Sequence, residues 1–104
     1  MGRFIIVAYK PKPDKHAALA TAVEKHLRVL SAENLVTDRA PYVMHAADGT
    51  VLEVFEWRSA EATSQAHKSP AVQALWGEFA AVCDYVPLAS LAEAQQMFAE
   101  FNSA

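Results

Sequence analysis

The chain has 104 residues, 53% of them hydrophobic and 20% charged, and carries a formal net charge of −3. This length fits a single domain covering residues 1–104. The acidic balance argues against nucleic-acid binding through phosphate neutralisation, and no apolar run is long enough to span a membrane, so neither nucleic acid nor a membrane is an expected partner.

The first predicted element is a strand over residues 3–10, because this segment is rich in β-branched and aromatic residues. Both of its alternating sets of side chains are apolar, one made of Phe4, Ile6 and Ala8 and the other of Ile5, Val7 and Tyr9. A strand that is apolar on both sides is covered on both sides. We therefore expect the domain's own helices on one face of the sheet and a second copy of the chain on the other.

An amphipathic helix is predicted from Lys15 to about Ala32, because apolar residues recur there at helical spacing. Asp14 is well suited to cap the N-terminus of this helix. The two histidines of the helix, His16 and His26, are interpreted as exposed to solvent.

A β-hairpin is predicted next, since Asp48-Gly49 is a strong turn signal between two strand-like segments. The first of these strands is clearest over residues 42–46, and Pro41 indicates a late start or an edge position. The return strand covers residues 50–57.

Glu53 poses a problem on this return strand, because it alternates onto the same face as Phe55 and Trp57. If that face is buried, the carboxylate needs a partner, such as Arg39 or Arg58, or its pKa is raised. An ion pair is favoured here over a role as general base.

Two helices and a strand are predicted in the second half of the chain. Ser59 suits the N-cap of a short helix over residues 60–66, and Ser69-Pro70 starts a longer helix. A short strand over residues 84–88 follows, and the capping box from Ser90 to Glu93 opens a C-terminal helix.

The predicted order is therefore β-α-β-β-α-β with an extra C-terminal helix. This is the order of a ferredoxin-like α+β fold with an antiparallel sheet. The single cysteine, Cys83, is interpreted as a small buried hydrophobic residue. An N-terminus without a signal-peptide pattern favours a cytoplasmic protein, and the small size of the domain favours a homodimer.

The chain resembles the antibiotic biosynthesis monooxygenase (ABM)-like family of dimeric α+β barrels. The matching segments, in chain order, are Lys10-Pro11, Glu56-x-Arg58-Ser59-x-Glu61-Ala62, His67-x-Ser69-Pro70, and Pro87-Leu88 before Leu91-x-Glu93. The resemblance implies a homodimer whose two sheets face each other, with a pocket in each subunit between sheet and helices. Members of the family oxygenate aromatic or quinol substrates without metal or flavin, degrade haem, isomerise small phosphorylated metabolites, or have no known activity.

The haem-degrading branch resembles this chain in a tryptophan followed ten residues later by a histidine, here Trp57 and His67. That branch also uses an asparagine on the first strand, whereas no asparagine lies between Arg3 and Lys10. Haem degradation is therefore not expected. No metal is expected, because the four histidines do not have metal-ligand spacing. No other cofactor is expected either, because the sequence contains no phosphate-binding glycine loop and no dinucleotide fingerprint.

The expected function is a cofactor-independent monooxygenase-like activity on a small aromatic, phenolic or quinone compound. His67 is the candidate acid or base, and the competing interpretation is a ring that caps a helix junction or bonds a backbone carbonyl. The candidate substrate-binding residues are Trp57, Trp76, Phe79, Tyr42 and His45. The alternative function is a non-catalytic or stress-responsive dimer that binds a small apolar ligand.

Overall fold

The computed structural model describes residues 1–104 and shows a small α+β fold built on one five-stranded antiparallel sheet. The strands are β1 (Arg3–Pro11), β2 (Tyr42–His45), β3 (Val51–Trp57), β4 (Cys83–Val86) and β5 (Asn102–Ser103), and the helices are α1 (His16–Ala32), α2 (Ala62–Ala66) and α3 (Pro70–Val82). Across the sheet the strands lie in the order β4-β1-β3-β2-β5. This arrangement is compatible with the predicted ferredoxin-like order.

Strand β1 lies inside the sheet, paired with β3 on one side and β4 on the other. Its register pairs Ile5 with Phe55 and Val7 with Glu53. Directly paired residues point to the same side of an antiparallel sheet, so these side chains share the face that the helices cover. We call this the inner face, and the opposite side the outer face.

Helix α1 begins at His16, and the cap predicted from Asp14 is wrong. Asp14 adopts a positive φ of 63°, two residues before the first helical residue, so its side chain does not reach the cap position. His26 is buried, contrary to the expectation of exposure, whereas His16 is exposed as predicted. His26 is buried because it follows Val23 by three residues and so lies on the sheet-facing side of the helix.

The hairpin between β2 and β3 is confirmed. Gly49 takes a φ of 93°, a conformation that glycine adopts without a steric penalty. Asp48 Oδ1 accepts a hydrogen bond from the Thr50 N–H at 2.8 Å, and this bond lowers the pKa of Asp48. The local turn signal therefore sets the register of both strands.

The predicted start of α3 is also confirmed, because Ser69 Oγ accepts a hydrogen bond from the Val72 N–H at 3.3 Å and Pro70 occupies the first turn. Ser59 does not cap α2, which begins only at Ala62 and has no side-chain cap. Cys83 is buried at the start of β4, as predicted.

The predicted C-terminal helix is wrong, because residues 88–90 and 93–95 form single 3₁₀ turns and the chain ends in β5. Glu93 accepts a hydrogen bond from the Ala47 N–H at 2.7 Å instead of closing a capping box. Leu91 packs in an apolar cluster with Ala8 and Leu52. The bond to Ala47 takes the Glu93 carboxylate that the capping box requires, and the packing of Leu91 holds the segment against the outer face of the sheet. The local helix signal is therefore overridden.

Part of the outer face stays uncovered. Ile6 and Tyr42 both pair with Val54, one on each side, and form a row across three strands. Phe4, Ile6 and Tyr42 are 61%, 50% and 73% exposed, respectively. The Arg39 guanidinium lies 5.6 Å from the centre of the Phe4 ring. No helix in the chain has the length and apolar character that crossing a membrane requires.

Candidate functional site

A cavity of about 370 Å³ lies between the inner face of the sheet and the helices. We call it the aromatic cavity. Strands β1 and β3 and helix α3 supply its apolar walls, which include Ile5, Val7, Phe55, Trp57, Trp76 and Phe79. The strand alternation and the helical spacing that build the core therefore also build the walls of this cavity.

Five further residues bring polar atoms to the aromatic cavity, namely Tyr9, His26, Thr63, His67 and Tyr85. They come from β1, α1, α2 and β4, with Thr63 and His67 both from α2 and its C-terminal end, so the fold assembles them from segments that are far apart in the chain. A small number of polar groups in an apolar concavity is typical of sites for small organic ligands.

The aromatic rings contact one another mainly edge to face. The Phe55 and Trp57 ring centres are 5.1 Å apart, and the His26 ring lies 5.3 Å from Phe55 and 5.2 Å from Phe79. Such contacts add stability beyond the area that they bury. Trp57 is only 4% exposed, so this side chain both packs in the core and forms part of the cavity wall.

Behind this wall lies a buried hydrogen-bonded group made of Tyr9, His26 and Glu53. The Tyr9 hydroxyl donates to Glu53 Oε1 at 2.7 Å, and His26 Nδ1 lies 2.7 Å from the same oxygen. All three residues are at least 95% buried. Burial, together with the nearby Glu53 carboxylate, raises the pKa of the Tyr9 hydroxyl, so Tyr9 stays a hydrogen-bond donor.

The predicted arginine partner for Glu53 is wrong. Arg39 Nε instead contacts Glu56 Oε1 at 2.8 Å, and Arg58 donates to the backbone carbonyls of Asn34 and Val36. Glu56 alternates with Glu53 along β3 and so faces the outer side. Glu53 points into the space between β3 and α1, where only Tyr9 and His26 reach it.

His67 lies at the C-terminal end of α2 and is exposed. Its ring packs edge to face against Trp76, with the ring centres 4.9 Å apart, and makes no hydrogen bond within the chain. Its backbone carbonyl accepts a hydrogen bond from the Gln73 side chain. His67 therefore stands at the edge of the aromatic cavity, beside the tryptophan that was predicted with it.

The structure brings four of the six predicted site residues to this cavity: His67, Trp57, Trp76 and Phe79. Tyr42 lies elsewhere, because its pairing with Val54 places it on the outer face. His45 borders a second cavity of about 580 Å³, which lies between α1 and the β2–β3 hairpin.

The second cavity differs in character, since it is bordered by His16, Glu24, His45 and Glu53 together with small apolar residues. These polar groups are not gathered into a cluster of three or more that could hold a metal ion. Glu53 nevertheless connects the two cavities. It borders the second cavity, while its hydrogen-bond partners Tyr9 and His26 border the aromatic cavity.

His26 borders the candidate site, although the sequence interpretation placed it in solvent. A signal for His26 was present, because it lies three residues after Val23 and four before Leu30, at the spacing of one helix face. Its contact with Glu53 was not readable, because it joins α1 to β3 across the domain.

Comparisons of this chain with models of protein families, with curated proteins and with solved structures find no match. The resemblance to the ABM-like family therefore stays a prediction, and arguments about function depend on the site itself.

Proposed function

We propose that the protein binds a small aromatic, phenolic or quinone compound in the aromatic cavity and oxygenates it without a cofactor. The observation that supports this most is the combination of aromatic walls with two imidazole rings, His26 and His67, in one cavity of about 370 Å³. This size falls in the range of small-molecule sites, and a histidine is the side chain best suited to accept a proton near neutral pH.

The proposed chemistry needs a base, a dry cavity and dioxygen. The base removes a proton from an activated CH₂ group of an anthrone-like substrate, and the resulting carbanion combines with dioxygen to give a peroxide. The peroxide takes up a proton and loses water, which leaves a carbonyl. One oxygen atom stays in the product and the other leaves as water, so the four-electron oxidation of the carbon balances. Apolar walls assist because they exclude water from the charged intermediates.

His67 is the base predicted from the sequence, and Trp57, Trp76 and Phe79 would contact the planar ring of the substrate. His67 lies next to Trp76, so a ligand that stacks on this tryptophan would approach the imidazole. Base catalysis by a positioned side chain contributes about 10²- to 10⁴-fold to a rate.

Oxygen uptake by the purified protein with a panel of naphthoquinols and anthrones tests the proposal. We expect uptake with at least one compound and an equimolar oxygenated product. Thr63→Trp should abolish both binding and uptake, because Thr63 borders the aromatic cavity. Ser64→Trp is the matched control, since Ser64 is the next residue of α2, is exposed, and does not border the cavity. No uptake with any compound would contradict the enzymatic function.

A non-catalytic ligand-binding protein is the second candidate. It is favoured by the His67 ring, which no hydrogen bond within the chain holds in one orientation. Saturable binding of the same compounds, weakened by Thr63→Trp and without oxygen uptake, would establish this function instead.

The architecture proposed with this function is the ferredoxin-like dimeric α+β barrel of the ABM-like family, in which two copies pair through their outer faces. The exposed row of Phe4, Ile6 and Tyr42 supports it, because large contiguous apolar patches are rare on monomers. Ile6→Lys should convert a dimer to a monomer in sedimentation at micromolar concentration. Ala81→Lys, a change at an exposed position of α3, should leave the dimer intact. A monomeric wild type would overturn this assembly.

A further inference from the structure

His26 connects the aromatic cavity to a buried carboxylate. It is 4% exposed and borders the aromatic cavity, and its Nδ1 lies 2.7 Å from Glu53 Oε1. The rings of Phe55 and Phe79 flank it edge to face. The imidazole is therefore held in one orientation by a hydrogen bond on one side and by aromatic contacts on the others.

With Glu53 as the carboxylate, the hydrogen bonds assign the proton of the neutral His26 ring to one nitrogen. An ionised carboxylate can only accept hydrogen bonds. Glu53 Oε1 has two partners, the Tyr9 hydroxyl and His26 Nδ1, so each of them must donate. In the neutral ring Nδ1 then carries the proton, and Nε2 has a lone pair.

This lone pair is not enclosed by protein. Thr50 Oγ1 is the one fully buried side-chain polar atom that lacks a hydrogen-bond partner. His26 Nε2 also makes no hydrogen bond within the chain, so this nitrogen is not fully buried. Nε2 is therefore accessible, and the space that His26 borders is the aromatic cavity. The aromatic cavity is therefore where a ligand would reach this nitrogen.

We infer that His26, held in position by Glu53, is the group that takes the proton from the ligand at the inner end of the aromatic cavity; the inference rests on the function proposed above and deepens it. Nε2 of His26 forms an N–H bond as the O–H or C–H bond of the ligand breaks, and the electron pair of that bond stays on the ligand. Glu53 stabilises the imidazolium that results.

The two histidines of the cavity thus have different properties. His26 is buried and oriented, whereas His67 is exposed and makes no hydrogen bond through its ring. An oriented base in a site from which water is excluded transfers a proton more effectively than a mobile one at the rim. His26 is the catalytic residue in this scheme, and Glu53 is a positioning residue.

The ionisation of 4-nitrophenol, read from its visible absorbance, tests the inference without requiring turnover. At a pH slightly below the pKa of the free probe, the bound probe should be mostly phenolate in the wild type. His26→Gln removes the cation that forms beside the phenolate, and Glu53→Gln removes the carboxylate that stabilises this cation. Each variant should therefore lower the ratio of bound phenolate to bound phenol by about tenfold or more. His16→Gln removes an exposed histidine of the same helix and should leave the ratio unchanged.

Binding of 4-nitroanisole, which has the shape of the probe but no proton to lose, controls for the integrity of the cavity. Its affinity should be the same in wild type, His26→Gln and Glu53→Gln. Retention of the bound phenolate in His26→Gln would overturn the inference, and so would its loss in His67→Ala alone.

The nitrogen NMR spectrum of His26 in the wild type decides the inference if neither probe binds or if a variant fails to fold. A proton on Nδ1 and a bare Nε2 near neutral pH would support it. A proton on Nε2, or on both nitrogens, would overturn it. Failure of both probes to bind would count against the proposed function, while this spectrum still decides the state of His26.

Discussion

The aromatic cavity and the second cavity lie on the two sides of the same buried carboxylate, but they offer different environments. Eight of the eleven residues that border the aromatic cavity are hydrophobic, against six of twelve for the second cavity. The histidines of the second cavity, His16 and His45, are exposed, so a proton transfer there would take place in water. Only the aromatic cavity combines an accessible imidazole nitrogen with apolar walls.

One buried charge can act on an apolar site without lying in it. Glu53 borders the second cavity, and only its hydrogen-bond partners Tyr9 and His26 reach the aromatic one. A carboxylate placed directly among the aromatic rings would be costly, because an ion without partners is strongly disfavoured in apolar surroundings. Placing it behind two donors keeps the charge solvated by hydrogen bonds.

The largest difference between the cavities should appear when a wall residue is removed. Phe79 is fully buried and stacks on Tyr9 with ring centres 4.9 Å apart, so Phe79→Ala should lower the free energy of unfolding by about 3–5 kcal/mol. Val43→Ala, at a half-buried position beside the second cavity, should lower it by only about 1 kcal/mol. Urea denaturation measures both. Equal losses of unfolding free energy in the two variants would show that the walls of both cavities contribute alike to stability.

Removal of the shared carboxylate should have the next largest effect. Glu53→Ala leaves the Tyr9 hydroxyl and His26 Nδ1 without an acceptor, which should cost about 3 kcal/mol of stability. The matched control is Glu24→Ala, since Glu24 is an exposed carboxylate of the second cavity and should change stability by less than about 0.5 kcal/mol. If denaturation gives the same small change for both, Glu53 does not depend on its buried partners.

The smallest effect should be an alkaline loss of stability that depends on Tyr9. Burial, followed by Glu53, raises the pKa of Tyr9 in the folded protein, so above the ordinary tyrosine pKa of about 10 the unfolded chain loses a proton that the folded chain keeps. The stability that Tyr9 contributes in this way is fully present below about pH 10 and is lost at about 1.4 kcal/mol per pH unit above it.

Tyr9→Phe should remove this dependence of stability on pH. Urea denaturation between about pH 9 and pH 11, on either side of the ordinary tyrosine pKa of about 10, measures the effect. Tyr85 and Cys83 also have a raised pKa because of burial, so the difference between Tyr9→Phe and wild type isolates the share of Tyr9. Parallel pH profiles for the two proteins would mean that the Tyr9 hydroxyl is not held as a donor in the folded state.

Predictions from the sequence succeeded where the signal and its structural consequence lie within a few residues. The Asp48-Gly49 turn and the Ser69-Pro70 helix start are examples, because backbone preference and side-chain capping act locally. His67, Trp57 and Trp76, which the family resemblance suggested for one pocket, do border one cavity, although their roles toward a ligand stay predictions.

Predictions failed where a distant segment competes for the same group. The capping box at Ser90 and Glu93 gives no helix, because the Ala47 N–H takes the Glu93 carboxylate and Leu91 is buried on the sheet. Arg39 lies on the other side of the sheet from Glu53 and pairs with Glu56 instead. In both cases the partner depends on how segments that are distant in the chain pack together.

The sequence by itself determined strands β1 to β4, helices α1 and α3 and the hairpin of this protein, because periodicity and turn chemistry act within short stretches of chain. Only the tertiary structure decided that Glu53 meets His26 and Tyr9, since three separate elements must pack before these atoms come within hydrogen-bond distance. The same packing turned a histidine interpreted as exposed into the oriented base of the inferred site. Burial and partnership depend on the packing of the whole domain, which no local pattern specifies.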